Sequence, residues 1–215
     1  MTQPSTNGGT PASSGRTPAQ GNRLDPWYDV YADRAHNLRA SEIRALFSVV
    51  SRPEVVSLAG GMPNLKDLPL DKLAASAEKL IRNHGAQAMQ YGSGQGWEVL
   101  RERITEVMSY DGIVGADPDD VVVTTGSQQA LDLVTELFVN PGDVILAEAP
   151  SYVGALGVFR ARQADIVHVP MDEYGIIPEA LEETIRDVRA SGRTIKFIYI
   201  IPNYHNPAGV TLSAE

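Results

Sequence analysis

From residue 121 onward, short apolar runs alternate with longer segments that have the periodicity of helices. Strands that are apolar on both faces are typical of a parallel sheet that is covered by helices on both sides. The sequence therefore predicts an α/β fold with a mostly parallel sheet and right-handed connections between its strands. The predicted strands are 121–125, 144–148, 166–169 and 195–201, and the predicted helices between them are 127–139, 152–162 and 178–190.

Composition divides the chain into three parts. Residues 1–22 are mostly Gly, Pro, Ser and Thr, and they cannot bury enough apolar surface to offset the entropy of ordering, so a disordered tail is predicted. Residues 23–66 are expected to form an N-terminal arm with a helix, and residues 67–215 a large domain.

The elements predicted before residue 121 are less regular. They are a helix at 41–51, a strand at 55–59, and helices at 70–84 and 97–109. Gly85 is the expected C-cap of the helix that begins at residue 70. Ser213 resembles a helix N-cap with only two residues after it, so we expect the large domain to be incomplete at its C-terminus.

Charge and composition argue against several functional classes. The formal net charge is −9, which disfavours a general nucleic-acid-binding protein. With no Cys, the chain has no disulfide, no thiolate metal site and no Cys nucleophile. The sequence has no apolar run long enough for a membrane helix and no secretory signal, so a cytoplasmic protein without membrane partners is expected.

Ligands of open α/β sheets bind beyond the carboxyl ends of the strands. At the first such end, residues 124–129 (TTGSQQ) run from a strand through Gly126 into a helix that begins with Ser127. The unpaired amides at a helix N-terminus and its positive dipole end suit a phosphate. Simple capping of a structural helix is the alternative. The glycine-rich run 92–96 lies in a loop and lacks the spacing of a dinucleotide motif.

Two further strand ends carry candidate ligands. Tyr152 follows the strand at 144–148 and could lie flat on a planar ring, or it could be a half-buried core residue. Asn206, held extended by Pro207, could donate its amide at a defined place, or it could belong to an ordinary turn. His205 has no second ligand at suitable spacing, so no metal site is predicted.

These stretches resemble the class I/II, fold-type I aminotransferases, which depend on pyridoxal 5′-phosphate. Within that group, SEIRAL, SLAGGMP and GSQQALDL are most similar to the 2-aminoadipate and multisubstrate aminotransferases. The resemblance extends over about residues 27–215 and is carried by Gln90-Tyr91-Gly92 with Gly96 and Leu100-Arg101, by VVVTTGSQQALDLV, by VILAEAPSY and by IPNYHNPAGVTLS. It implies the N-terminal half of an enzyme that moves an amino group between an amino acid and a 2-oxo acid.

The resemblance also implies roles for the cofactor-binding residues. Ser127 and Gln128, with the backbone of Gly126, would bind the cofactor phosphate. Tyr152 would stack on the pyridine ring. Asn206 would hydrogen-bond the 3′-oxygen of the cofactor and would lie beside the substrate.

Three other positions have roles implied by the resemblance. Tyr91 would reach the phosphate bound by the neighbouring subunit of a homodimer. Gly61 would lie near the substrate carboxylate, and Arg44 would recognise the substrate side chain.

The family's Schiff-base lysine has no counterpart in this sequence. In the family that lysine, an Asp that pairs with the pyridinium nitrogen and an Arg that holds the substrate carboxylate all lie downstream of the Asn-Pro motif. None of the lysines here is at the end of a late strand. They are Lys66, Lys72, Lys79 and Lys196. No catalytic residue is therefore assigned, and the chain alone is expected to be inactive.

Two other functions remain open at this point. Another fold-type I activity, such as that of a lyase or a decarboxylase, would use the same cofactor site. A non-catalytic effector domain that binds the cofactor is also compatible with the motifs.

Overall fold

The computed structural model describes residues 25–36, 52, 54–56 and 65–214. The chain divides into two units, Met1–Leu38 and Arg39–Glu215. The described part of the first unit contains a 3₁₀ turn at Tyr28–Val30 and the short helix α1 at Asp33–His36. The predicted helix at 41–51 and residues 57–59 of the predicted strand at 55–59 lie outside the described residues, as do Arg44 and Gly61, whereas Val55 and Val56 are described and lie in no strand.

The described part of the second unit contains five helices and four strands, with a 3₁₀ turn at Pro118–Asp120. The helices are α2 (Leu70–Ala88), α3 (Glu98–Tyr110), α4 (Ser127–Phe138), α5 (Val153–Ala161) and α6 (Pro178–Ala190). The strands are β1 (Val144–Ala149), β2 (Asp165–Asp172), β3 (Gly175–Ile176) and β4 (Ile195–Tyr199). No described helix is long and apolar enough to cross a membrane.

The sheet has the order β3-β2-β1-β4, with β1 parallel to both β2 and β4, and β3 antiparallel to β2. The central strand β1 is buried on both faces because successive side chains point to opposite sides. Ile145 and Ala147 pack against Phe159 of α5, whereas Val144 and Leu146 pack in the cluster that contains Val188 of α6. The prediction of an α/β fold with a mostly parallel sheet and helices on both faces is confirmed.

Two local predictions were wrong, and one strand was missed. Residues 121–125 form no strand, because no described strand lies beside them and a single backbone bond, from Val123 N–H to Gln95 O at 2.8 Å, ties them to another segment. Gly85 does not end α2: the helix continues to Ala88 past a kink at His84, whose φ and ψ are −136° and 18°. The hairpin strand β3 was not predicted, because two residues carry no periodic pattern.

An apolar groove of about 600 Å³ lies between α4 and β4. Leu131 and Phe138 of α4 line one side of it, and Phe197 and Tyr199 of β4 line the other. Within the described sheet, β4 pairs only with β1, so its other edge is open beside this groove.

Helices α4 and α5 are joined by a two-pronged ion pair. The Arg162 guanidinium donates to both carboxylate oxygens of Asp132, from Nε at 3.0 Å and from Nη2 at 2.9 Å, and Nη2 also reaches Glu136 at 3.0 Å. The hydrogen bond from Arg162 lowers the pKa of the Asp132 carboxyl. A carboxyl with a depressed folded-state pKa stabilises the fold above its unfolded-state pKa and loses this contribution as the pH falls through the folded-state value.

We expect Asp132→Asn to lower the midpoint of urea unfolding at pH 7, and this difference from the unaltered chain to shrink progressively as the pH falls below about 4. Urea titrations between pH 3 and pH 7 measure both effects. Glu182→Gln is the control, because Glu182 forms only an exposed ion pair with Arg186 one helical turn away and should change the midpoint little at any pH. A difference for Asp132→Asn that stays constant across the range would contradict the assignment.

Candidate functional site

The three predicted strand-end segments lie on connected elements. β1 and β4 are parallel neighbours, so their carboxyl ends open on the same edge of the sheet. Tyr152 follows β1, and the turn at 202–210 follows β4. The amino end of α4 is tied to the first turn of α5 by a hydrogen bond from Gln128 Nε2 to Gly154 O at 3.3 Å.

The amino end of α4 is free of side-chain caps. Gly126 is the N-cap residue, with φ 87° and ψ 168°, and no side chain accepts from the first helical amides there. Ser127 is thus the first residue of the helix rather than its cap, and it is exposed. The first amides of any helix have no acceptor within the helix and attract anions. This end of α4 therefore offers amide donors, a hydroxyl and the positive end of a helix dipole.

The loop before α4 is held in shape by a residue that sequence reasoning missed. Gln129 Oε1 accepts hydrogen bonds from Thr125 N–H at 2.6 Å and from Thr125 Oγ1 at 2.8 Å. Thr124 Oγ1 donates to Gly126 O at 3.1 Å. The second Gln of the TGSQQ run was the only signal for this role.

Tyr152 is the N-cap residue of α5, and its ring lies over Gly154. A Cβ added to Gly154 would come within 2.6 Å of Tyr152 Cε1, so only glycine leaves room for the ring in this place. The ring is half-buried and packs against the core cluster around Phe159. Burial raises the pKa of the nearby Tyr199 phenol, and the neighbouring Tyr152 and Glu148 add to this increase.

The turn at 202–210 carries Asn206 on its surface and His205 in its interior. Asn206 is exposed, whereas His205 is 2% exposed and its Nε2 lies 3.1 Å from Oε2 of Glu148, which is 1% exposed. Sequence reasoning missed Glu148, although a lone Glu in an apolar strand was a visible signal. The described residues contain no group of three His, Cys, Asp or Glu that could hold a metal ion.

The predicted site residue Tyr91, and Lys196, which its place in the sequence excludes as a catalytic lysine, lie apart from these residues. Tyr91 is 99% exposed, so it touches almost nothing in its own chain. Lys196 lies near the amino end of β4 and forms an ion pair with Asp143 at 3.2 Å, at the opposite edge of the sheet from Tyr152 and Asn206. The hydrogen bond that the Asn140 backbone donates to Asp143 lowers the pKa of the Asp143 carboxyl, and the hydrogen bond from Lys196 lowers it further.

Solved structures with the same fold include two close matches. One is a *Pyrococcus horikoshii* kynurenine aminotransferase in complex with PMP, with 35% identity and a TM-score of 0.80 over 89% of this chain and 47% of that one. The other is an α-aminoadipate aminotransferase from *Thermus thermophilus* complexed with N-(5′-phosphopyridoxyl)-L-leucine, with 35% identity and a TM-score of 0.74 over 87% of this chain and 44% of that one.

Sequence comparison gives the same grouping. An aromatic-amino-acid aminotransferase of *Thermococcus litoralis* is 38% identical over 86% of this chain and 44% of its own length. A 2-aminoadipate transaminase of *Thermus thermophilus* is 37% identical over 85% of this chain and 43% of its own length. The chain thus spans less than half the length of these relatives. Residues 53–215 match the family described as aminotransferase class I and II, and the chain belongs to that family.

Proposed function

We propose that this chain forms the pyridoxal 5′-phosphate-binding part of an enzyme that moves an amino group between an amino acid and a 2-oxo acid. The observation that carries the proposal is the uncapped amino end of α4, joined through Gln128 and Gly154 to the element that presents Tyr152. An anion site beside an aromatic ring matches the two ends of a phosphorylated pyridine.

The residues present fit such a cofactor. Ser151, next to Tyr152, is 6% exposed, and its Oγ has no hydrogen-bond partner among the described residues, so a polar group remains available there. Gly126 has nothing within 4 Å of its missing side chain, which leaves the space before α4 open. When bound, the cofactor supplies an electron sink for a carbanion formed at the substrate.

The chain's own residues would bind and orient that group. The Gly126 backbone, Ser127 and Gln128 would hold its phosphate, Tyr152 would cover the face of its ring, and Asn206 would donate to its 3′-oxygen. These contacts come from three separate segments, namely the start of α4 and the stretches that follow β1 and β4, so together they would fix both the position and the tilt of the ring.

Other parts of the proposal concern the complete protein. Tyr91, which is exposed, would contact the phosphate held by the other subunit of a homodimer. Arg44 and Gly61, with Asn206, would contact the substrate. The enzyme would work in the cytoplasm. A 2-aminoadipate-like donor is favoured by the similarity to the *Thermus* transaminase.

The experiment that tests the cofactor site places a carboxylate at the amino end of α4. We expect Ser127→Asp to weaken the binding of pyridoxal 5′-phosphate and of inorganic phosphate at least tenfold, because the new carboxylate would repel the phosphate group of either ligand. An Asp in the first turn favours the helix itself, so the fold should be kept. Fluorescence titration and ³¹P NMR of the purified chain measure the binding.

Ser109→Asp is the matched control, because it adds the same charge to exposed α3 outside the site and should leave both affinities within about twofold. Equal affinities for the unaltered chain and Ser127→Asp would refute the phosphate site. The chain of 215 residues should bind the cofactor without transferring amino groups, since none of its lysines follows a late strand in the sequence. Robust transamination by it would refute that expectation.

A further inference from the structure

A buried contact joins the turn that carries Asn206 to the central strand. The side chains of His205 and Glu148 are 0% and 1% exposed, and Nε2 of the imidazole lies 3.1 Å from Oε2 of the carboxylate. The same Oε2 accepts a hydrogen bond from Ile201 N–H at 2.8 Å. Glu148 therefore contacts the segment after β4 at two points.

The other imidazole nitrogen fixes which atom carries the proton. Ala208 N–H donates to His205 Nδ1 at 3.2 Å, so Nδ1 is an acceptor and the ring proton lies on Nε2, on the side of Glu148. The Nε2 hydrogen is not aimed directly at Oε2, so this contact is electrostatic rather than a well-aligned hydrogen bond. The imidazole thus bridges the far side of the turn and the end of β1.

The backbone of His205 completes the turn. Its N–H donates to Val210 O at 2.8 Å, and its carbonyl accepts from Gly209 N–H at 2.6 Å. Asn206 follows directly and is exposed, so the direction of its amide is set by the backbone that His205 holds. Tyr152 lies four residues after Glu148 on the other side of the contact.

We propose that His205 is the positioning residue for Asn206: its contact with Glu148 fixes the distance between the Asn206 amide and the Tyr152 ring. This proposal rests on the proposed function, because it gives Asn206 a cofactor to meet. The residue acts through Asn206 and does not itself touch the cofactor. The proposed role also gives a reason for the Glu148 carboxylate in the buried centre of the sheet, where an unpaired charge is costly.

The test is a double-mutant cycle between positions 205 and 206 in the chain of 215 residues. It measures the affinities for pyridoxal 5′-phosphate and for inorganic phosphate. His205→Leu should weaken cofactor binding about tenfold and phosphate binding less than twofold. In the Asn206→Ala background, His205→Leu should have less than a twofold effect. His205→Gln should stay within about threefold of the unaltered chain, because its amide nitrogen can take the place of Nε2.

Equal losses for both ligands, or full additivity with Asn206→Ala, would overturn the positioning role. His168→Leu, on an exposed position of β2, is the control for loss of an imidazole and should change neither affinity. If His205→Leu does not fold by circular dichroism, His205→Asn serves in the cycle, because it keeps an acceptor for Ala208 and cannot reach Glu148. The same criteria then apply.

The two proposals fail in different ways. If Asn206→Ala does not weaken cofactor binding, or the unaltered chain does not bind the cofactor, the proposed function is wrong at this site and the positioning role is wrong with it. If Asn206→Ala weakens binding and His205→Leu does not, only the role of His205 is wrong.

Discussion

Replacing Gly154 with alanine should weaken the binding of pyridoxal 5′-phosphate about tenfold while the chain keeps its fold. The new methyl group would come within 2.6 Å of Tyr152 Cε1, and the ring can escape only by rotating away from its place over α5. Stability should not suffer, because the moving group is the end of a side chain and alanine favours a helix more than glycine does. Fluorescence titration gives the affinity, and urea unfolding gives the stability.

Gly157→Ala is the matched control in the same helix. A Cβ at Gly157 has nothing within 4 Å, so this variant receives the same gain in helix propensity without a contact to the ring. Its affinity for the cofactor should be unchanged. If Gly154→Ala binds the cofactor as tightly as Gly157→Ala does, the present ring position is not the one that matters for binding.

Replacing Gly96 with alanine should reduce the free energy of unfolding by about 3 kcal/mol. Gly96 has a φ of +102°, which strains any residue with a side chain, and an added Cβ would lie 2.6 Å from Val123 Cβ. Neither group can move alone, because Val123 N–H donates to Gln95 O at 2.8 Å and holds the two segments together. Urea unfolding of the purified variant measures the loss.

Gly94→Ala, two residues earlier in the same loop, is the control. A Cβ there meets nothing within 4 Å and φ is not in the left-handed region, so stability should change by less than about 1 kcal/mol. Similar values for the two variants would show that the contact between this loop and Val123 is not formed in solution.

Elements with local signals at both ends could be predicted from the sequence. Helix α6 spans Pro178–Ala190 as expected, because Pro178 starts the first turn and Gly192, with φ +77°, follows the end. Gly85 is a glycine like Gly192, but it lacks the positive φ of a helix C-cap. The residue type alone therefore led to the wrong prediction that the helix ends there. Residues 121–125 have the composition of a strand, but a strand needs a neighbour, and composition cannot supply one.

Much of the candidate site could be predicted for a similar reason. Gly126 and Ser127 lie where an apolar run gives way to a helix, and Tyr152 lies between a strand and a helix, and such breaks can be recognised from a single stretch of sequence. The supporting contacts could not be predicted in this way. The pairs Gly154 with Tyr152 and His205 with Glu148 depend on side-chain direction or on two distant strands meeting, which no local pattern encodes.

The alternation of side chains along β1 links the core to the chemistry beyond it. A deletion of one residue at the start of Val144–Ala149 would turn every later side chain of the strand to the opposite face of the sheet. Ile145 and Ala147 would then point away from the helix layer that contains Phe159. It would also turn Glu148 away from His205. The residue register of β1 thus sets the orientation of the turns that carry the ligand-binding residues. Insertions or deletions within β1 should therefore be tolerated far less well than insertions or deletions in those turns.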